Sequence, residues 1–204
     1  MLLLCSGSPR RRDFLLQLGL PFELVRPEID ETQRSHEPAL AYVERLAREK
    51  AEAGLAIFLR QGTPSVSVAP VLPAPADRHV VPLAADTIVV LRGEVLGKPR
   101  DRDDTRRMLR LLSGTEHEVI TSVRVGSLQR TVVTSVRFRP LSPEALEWLV
   151  RSGDGDDKAG AYAVQGLAAA FVERLDGSLT NVIGLPIVET LELLASAGVS
   201  PPWK

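Results

Sequence analysis

Apolar residues run unbroken from Leu2 to Cys5, then give way to Ser6-Gly7-Ser8-Pro9 and three consecutive arginines, Arg10 to Arg12. The run reads as a short buried strand, and Ser8-Pro9 as a helix start with serine as N-cap and proline at the first helical position. Phe14, Leu15 and Leu18 follow at helical spacing, and Gly19 closes the helix. "PFELVRPEIDET" gives a second strand running into an acidic loop. Glu37-Pro38 opens a long helix toward Gly62 with Leu40, Val43, Ala47 and Ala51 as its apolar stripe. Lys50 falls near the edge of that stripe, and Glu44, Arg45, Arg48 and Glu49 are expected to face water.

Residues 62–82 break the pattern. They hold five of the 15 prolines and almost no charge, which suits neither a helix nor a central strand and predicts an exposed insertion loop. "VVPLAADTIVVLRGEVLG" then gives a strand through Ala84-Ala85-Asp86-Thr87 and a turn at Arg92-Gly93. Asp101 caps a helix closed by Gly114, residues 117–140 alternate as a two-strand hairpin, and Ser142-Pro143 caps another helix. A further strand and turn precede a last helix from Pro186 to Gly198. The order predicts a mixed α/β chain without internal repeats, compact enough for a single unit over 1–204, with two lobes and a cleft as its variant.

Composition narrows the class. At 204 residues and 44% hydrophobic content the chain can bury a substantial core. Its 25 Lys+Arg balance 26 Asp+Glu, so no global basic field recruits nucleic acid or an anionic membrane, and any anion binding is local. The opening apolar run is far shorter than the ~7–15 residues of a signal-peptide core, and its arginines follow rather than precede it. A cytoplasmic location is therefore expected. Cys5 is the only cysteine, which excludes an internal disulfide and fits a small buried strand residue better than a catalytic thiol.

Five stretches could carry chemistry. In "SGSPRRR", the unpaired N–H groups of a helix N-terminus, two serine hydroxyls and the arginines could cradle a triphosphate; the stretch fits an ordinary capped helix with solvated arginines equally well. Glu28, Asp30 and Glu31 supply dispersed acids of the kind that hold Mg²⁺, with surface solvation the better reading for Glu28. Asp86 is an isolated acid among Ala84, Ala85, Ile88 and Val89, and an acid in that setting is either structurally paired or functional. Lys98 in "GKP" could meet phosphate or simply sit in a surface turn. In "DKAGAYAVQG", Lys158 and Gln165 bracket a small-residue stretch, and Gln165 could pair with a base edge or with backbone. The three histidines, His36, His79 and His117, show no zinc spacing.

Taken together, "CSGSPRRRDFLLQLGLPFELVRPEIDET", "YVERLAREKA", "AADTIVVLRGEVLGKP", "LSGTEHEVITSV" and "DKAGAYAVQGLAAAFVERLDGSLTNVIGLP" resemble the Maf family of nucleoside triphosphate pyrophosphatases, in that family's order and over nearly the whole chain. The resemblance implies a two-lobed α/β fold with a central mixed sheet and a cleft. It also implies a reaction dependent on Mg²⁺ or Mn²⁺ in which water attacks the α-phosphorus of a nucleoside triphosphate. On the matching positions, Asp86 is the general base, Glu31 and Asp86 hold the metal, and Ser6, Ser8, Arg11, Lys50 and Lys98 contact phosphate. Near a metal, Asp86 is expected to remain ionised, as a base must. Arg10, Thr87 and Gln165 match the branch similar to dTTP and UTP pyrophosphatases, whereas a 7-methyl-GTP branch carries tryptophan at the first of these positions. That substrate, or another non-standard purine, is the alternative within enzymes, and a nucleotide-sensing regulator of septum formation the alternative outside them. A homodimer is a family-level expectation. Cys5 stands where the family usually has alanine, and the 62–82 insertion is longer than the family leads one to expect.

Overall fold

The computed structural model describes residues 1–61, 79–201 and 203. Of the predicted 62–82 loop, positions 62–78 lie outside the described residues. Val81 and Pro82 belong to a strand rather than to the loop. Pro82 cannot donate to a ladder, but its carbonyl accepts from the Gly126 N–H at 2.8 Å, so it is tolerated there.

Seven strands form a mixed sheet: β1 Leu2–Cys5, β2 Phe22–Val25, β3 Val81–Leu91, β4 Glu94–Leu96, β5 Glu116–Val125, β6 Leu128–Phe138 and β7 Val172–Asp176. Their order is β2-β1-β3-β5-β6-β7, with β4 paired to β3. β1 runs parallel to β2 and β3, while the β3–β4 and β6–β7 pairs are antiparallel. The helices are α1 Pro9–Gln17, α2 Ala39–Gln61, α3 Arg102–Leu112, α4 Pro143–Ser152, α5 Leu179–Ile183 and α6 Ile187–Ser196. No described helix is long and apolar enough to cross a membrane. The predicted caps are in place on α3, where the Asp104 N–H donates to Asp101 at 2.8 Å, and on α4, where the Ala145 N–H donates to Ser142. Ser8 also occupies the N-cap of α1, but its side chain makes no cap hydrogen bond.

The chain divides into two compact units: Met1–Asp86 with Ser122–Thr131 and Gly184–Lys204, and Thr87–Thr121 with Val132–Ile183. In the first, β1 is buried on both faces, which explains its unbroken apolar run. Leu2 and Leu4 pack with Leu15, Leu193 and Leu194; Leu3 and Cys5 pack with Ala51 and Phe58 of α2. Burial pushes the Cys5 thiol up to about 12, so the residue is the inert strand filler its sequence setting implied. Gly54 lets α2 approach this strand: a Cβ there would lie 2.6 Å from the Cys5 Cβ and overlap its sulfur.

The predicted stripe of α2 needs two corrections. Leu40 is exposed, and Leu46 and Phe58 take the core positions instead. Arg45, expected in water, is buried. Its guanidinium is paired with Glu37 at 2.6 Å and Glu49 at 3.1 Å, and it donates to the Thr32 carbonyl at 3.1 Å, which is what makes burial tolerable.

The second unit packs α3, α4, β4 and parts of β3, β5 and β6 around Leu109, Leu112, Val136, Phe138, Leu149 and Tyr162. His117, Phe138 and Tyr162 meet edge to face at 4.9–5.4 Å between ring centroids, and His117 Nε2 lies 2.8 Å from the Tyr162 hydroxyl. The other ring nitrogen of His117 has no hydrogen-bond partner among the described residues, and burial pulls the imidazole down to about 4.

Two predictions follow from this packing. Gly54→Ala forces α2 away from β1 and should lower the unfolding free energy by about 1–3 kcal/mol in urea titrations; an unchanged midpoint would refute the close contact. Because His117 titrates near 4 when folded and near 6.5 when unfolded, the unfolded state binds its proton first. Its contribution is complete above pH 6.5 and is lost as pH falls from there toward 4, by up to about 3 kcal/mol. The stability difference between the parent and His117→Gln should therefore shrink between pH 7 and pH 5 in paired urea titrations.

Candidate active site

The β1–α1 junction turns sharply at Ser6-Gly7-Ser8. The Ser6 hydroxyl accepts from the Ser8 N–H at 3.1 Å, which fixes the turn ahead of α1. The three arginines then separate. Arg12 is half exposed and pairs with its neighbour Asp13 at 3.1 Å. Arg10 is half buried in the first turn of α1. Arg11 turns inward and is 8% exposed; its Nε donates to the Gly184 carbonyl at 2.8 Å and one Nη to the Ser6 hydroxyl at 3.4 Å. Burial pulls the Arg11 guanidinium below its ordinary range, while the nearby Asp86 and Glu31 carboxylates pull it back up.

Asp86 stands buried in β3 between buried Ala85 and half-buried Thr87, and its partner comes from α2. Lys50 Nζ lies 2.6 Å from Asp86 Oδ1 and 2.8 Å from Glu31 Oε1, so one ammonium joins the two carboxylates. The Lys50 and Asp86 side chains are only 12% and 10% exposed, against 48% for Glu31. Burial pushes the Asp86 carboxyl above the usual carboxylate range, opposed by Lys50 and Arg11. Ser6, Ser8, Arg10, Arg11, Glu31, Lys50 and Asp86, all of them singled out in the sequence, belong to the first unit, where Lys50 joins Glu31 to Asp86 and Arg11 feels both carboxylates.

The remaining predicted residues belong to the other unit and lie on separate segments of it. Thr87, the next residue along β3, has its hydroxyl 2.9 Å from that of Thr121. Lys98 is exposed in the turn after β4, a turn tied down by the Gly160 N–H donating to the Gly97 carbonyl at 3.1 Å. Gln165 is exposed beside Gly166, whose neighbour Leu167 donates its N–H to Asp154 at 2.9 Å. Lys158 donates to the Asp154 carbonyl at 2.6 Å, the structural member of its stretch.

Glu28 is solvent-exposed as expected, and the Asp30 carboxylate accepts from Thr32, which holds it below the usual range. Among the described residues, no three His, Cys, Asp or Glu side chains gather as a metal cluster. Glu31 and Asp86, which share the Lys50 ammonium, are the two carboxylates that could hold a hard divalent cation. Two carboxylates, with waters and substrate phosphates completing the sphere, form the donor set that Mg²⁺ uses.

Sequence reading missed the groups that hold the acidic loop. The Tyr42 hydroxyl donates to the Glu31 carbonyl at 2.7 Å, and Arg45 holds Thr32 and Glu37. Burial, with the Asp86 and Glu31 charges, pushes the Tyr42 hydroxyl up, so it keeps its proton and remains a donor. The available signal was the i, i+3, i+7 spacing of Tyr42, Arg45 and Glu49 along one side of α2. Gly184 was missed as well, since a carbonyl partner leaves no mark on side-chain pattern.

Comparison with known proteins gives one result over the whole chain. The family model for Maf-like proteins matches residues 1–197. The chain is 49% identical to a dTTP/UTP pyrophosphatase of Anaeromyxobacter sp. (strain Fw109-5), over 99% of this chain and 92% of that protein. It is 49% identical to one of Chromobacterium violaceum, over 98% and 96% respectively. It is 50% identical to one of Salmonella typhimurium, over 95% and 91%.

The ion pair predicts an asymmetry. Lys50→Met leaves the Asp86 carboxyl buried without its ammonium and should cost about 3 kcal/mol of stability. Adding Asp86→Asn should recover much of that loss, because a neutral amide does not need the counter-charge. Urea titration of the two single variants and the double variant reads the coupling, and purely additive losses would count against the pairing.

Proposed function

The chain belongs to the Maf family, and from that premise we propose that it is a nucleoside triphosphate pyrophosphatase that hydrolyses dTTP and UTP to the monophosphate and pyrophosphate. The observation that carries the reading is near full-length identity of about one half to proteins of that one name. These names favour a pyrimidine triphosphate over 7-methyl-GTP. Arg10, Thr87 and Gln165, the positions that the family resemblance links to substrate choice, agree with it.

The proposed chemistry adds one water across the bond between the α-phosphorus and its bridging oxygen. The new P–O bond forms on the side opposite the leaving pyrophosphate, and the proton of the attacking water passes to a carboxylate oxygen of Asp86. Arg11 and Lys50 supply fixed positive charge toward the phosphates, and Ser6, Ser8 and the N–H groups of the first α1 turn supply donors. Lys98 is the further phosphate contact that the resemblance supplies. Glu31 and Asp86 would hold Mg²⁺ or Mn²⁺, which when bound neutralises phosphate charge.

The reading is tested with a panel of triphosphates and added metal. Pyrophosphate release should be fastest with dTTP and UTP, and strong preference for 7-methyl-GTP would overturn the substrate assignment. Asp86→Asn should lower turnover at least 1,000-fold, on the order expected for loss of a general base at a metal site, while leaving the circular dichroism spectrum unchanged. Parent-level hydrolysis of dTTP by that variant would sink the mechanism.

A further inference from the structure

Glu31 lies in a loop without regular secondary structure, and its carboxylate is nearly half exposed. A side chain on such a segment has no helix or strand to aim it. Yet its carboxylate meets Lys50 Nζ at 2.8 Å, the same ammonium that meets Asp86. The loop must be held by something other than a ladder.

Two side chains of α2 hold it by its backbone. The Tyr42 hydroxyl donates to the Glu31 carbonyl at 2.7 Å, and Arg45 donates to the next carbonyl, Thr32, at 3.1 Å. Arg45 also grips the far end of the loop, with bonds of 2.6 and 2.8 Å to the two carboxylate oxygens of Glu37. Glu37 in turn accepts from the Arg34 N–H at 3.0 Å, and the Arg45 guanidinium lies 5.5 Å from the Tyr42 ring centroid. Tyr42 and Arg45, one turn apart, are neighbours on the same helix that carries Lys50. The element that delivers the ammonium to Asp86 therefore also fixes the carbonyl of the residue whose carboxylate joins them.

We propose that Tyr42, supported by Arg45, is a positioning residue for Glu31: its hydroxyl sets where the Glu31 carboxylate stands and so sets the affinity of the site for its divalent cation. The proposal rests on the metal-dependent pyrophosphatase reading given above. Tyr42 does not itself contact the reacting atoms. Its hydroxyl acts on a backbone carbonyl, which makes the prediction specific to an oxygen rather than to a ring. Arg45 holds the neighbouring Thr32 carbonyl and Glu37, and Tyr42 holds the carbonyl of Glu31 itself.

The test uses the full chain and Tyr42→Phe, which keeps the ring and removes the oxygen. With dTTP as substrate, the Mn²⁺ concentration for half-maximal rate should rise about threefold to tenfold, the order expected for one neutral hydrogen bond, while the rate at saturating Mn²⁺ recovers to near the parent's. A second readout is independent of turnover. Mn²⁺ binding, followed by electron paramagnetic resonance in the presence of α,β-imido-dTTP, should weaken by a similar factor. In a Glu31→Gln background, Tyr42→Phe should change Mn²⁺ binding less than twofold, because the carboxylate it positions is gone. Unchanged Mn²⁺ dependence in Tyr42→Phe overturns the proposal, with or without a fall in melting temperature. So does an effect of equal size in the Glu31→Gln background. If the parent itself binds the nucleotide analogue but releases no pyrophosphate with any metal, the underlying enzymatic reading fails, an outcome separate from the other two.

Discussion

A carboxylate buried in a largely buried strand has to be compensated where it stands, and in the first unit the compensation of Asp86 by Lys50 constrains the packing around it. Lys50 reaches Asp86 only if α2 lies close to the sheet. The helix achieves this with small residues where it meets β1: Ala47 and Ala51 are buried, and Gly54 lies directly against Cys5. Larger side chains at these positions would lengthen the helix-to-strand distance and withdraw the ammonium from the carboxylate. The small-residue face of α2 thus links core packing to the electrostatics of the site.

The charge set built on that packing is nearly self-balanced. Arg11 and Lys50 bring two positive charges against Asp86 and Glu31, and the chain as a whole carries a formal charge of only -1. A triphosphate arriving at a balanced set adds several negative charges that two fixed cations already engaged with carboxylates do not neutralise. In the proposed reaction this is the physical case for a divalent cation. It also accounts for the separation of the arginine run: Arg11 is turned inward and fixed by the Gly184 carbonyl, and Arg12 remains with solvent and Asp13. A guanidinium already ordered by neutral acceptors loses little freedom when a phosphate arrives.

Much of the fold was legible because periodicity and punctuation record local geometry. The unbroken Leu2–Cys5 run, proline at the start of α1, Asp101 and Ser142 as caps and Gly114 after α3 each carry their own physical reason. The start of β3 at Val81 was harder, since Pro82 argues against a strand until one sees that its carbonyl is the paired group. The burial of Arg45 was invisible because charge predicts exposure unless the partners are known, and Glu37 and the Thr32 carbonyl become partners only when the loop folds back. For the site, Asp86 announced itself as an acid in an apolar run. Its pairing with Lys50, 36 residues earlier, is tertiary, and family resemblance rather than pattern grouped the two residues. The Tyr42 and Gly184 contacts involve backbone carbonyls, which every residue has, so no residue type marks them.

These contacts make α2 a single ruler for three separate things. Tyr42 and Arg45 near its start hold the acidic loop, Lys50 in its middle meets both carboxylates, and Gly54 a turn later sets its distance from β1. A rigid helix couples them: a shift forced at Gly54 is carried to Lys50 about one turn away and to Tyr42 about three turns away. Loss of the Tyr42 hydroxyl is different in kind, because it frees the loop while leaving the helix and Lys50 in place. Packing changes in α2 should therefore disturb stability and the Lys50–Asp86 pair together, whereas changes to the loop contacts should alter the Glu31 carboxylate alone. That separation follows from where each bond attaches, to the helix axis in one case and to a loop carbonyl in the other.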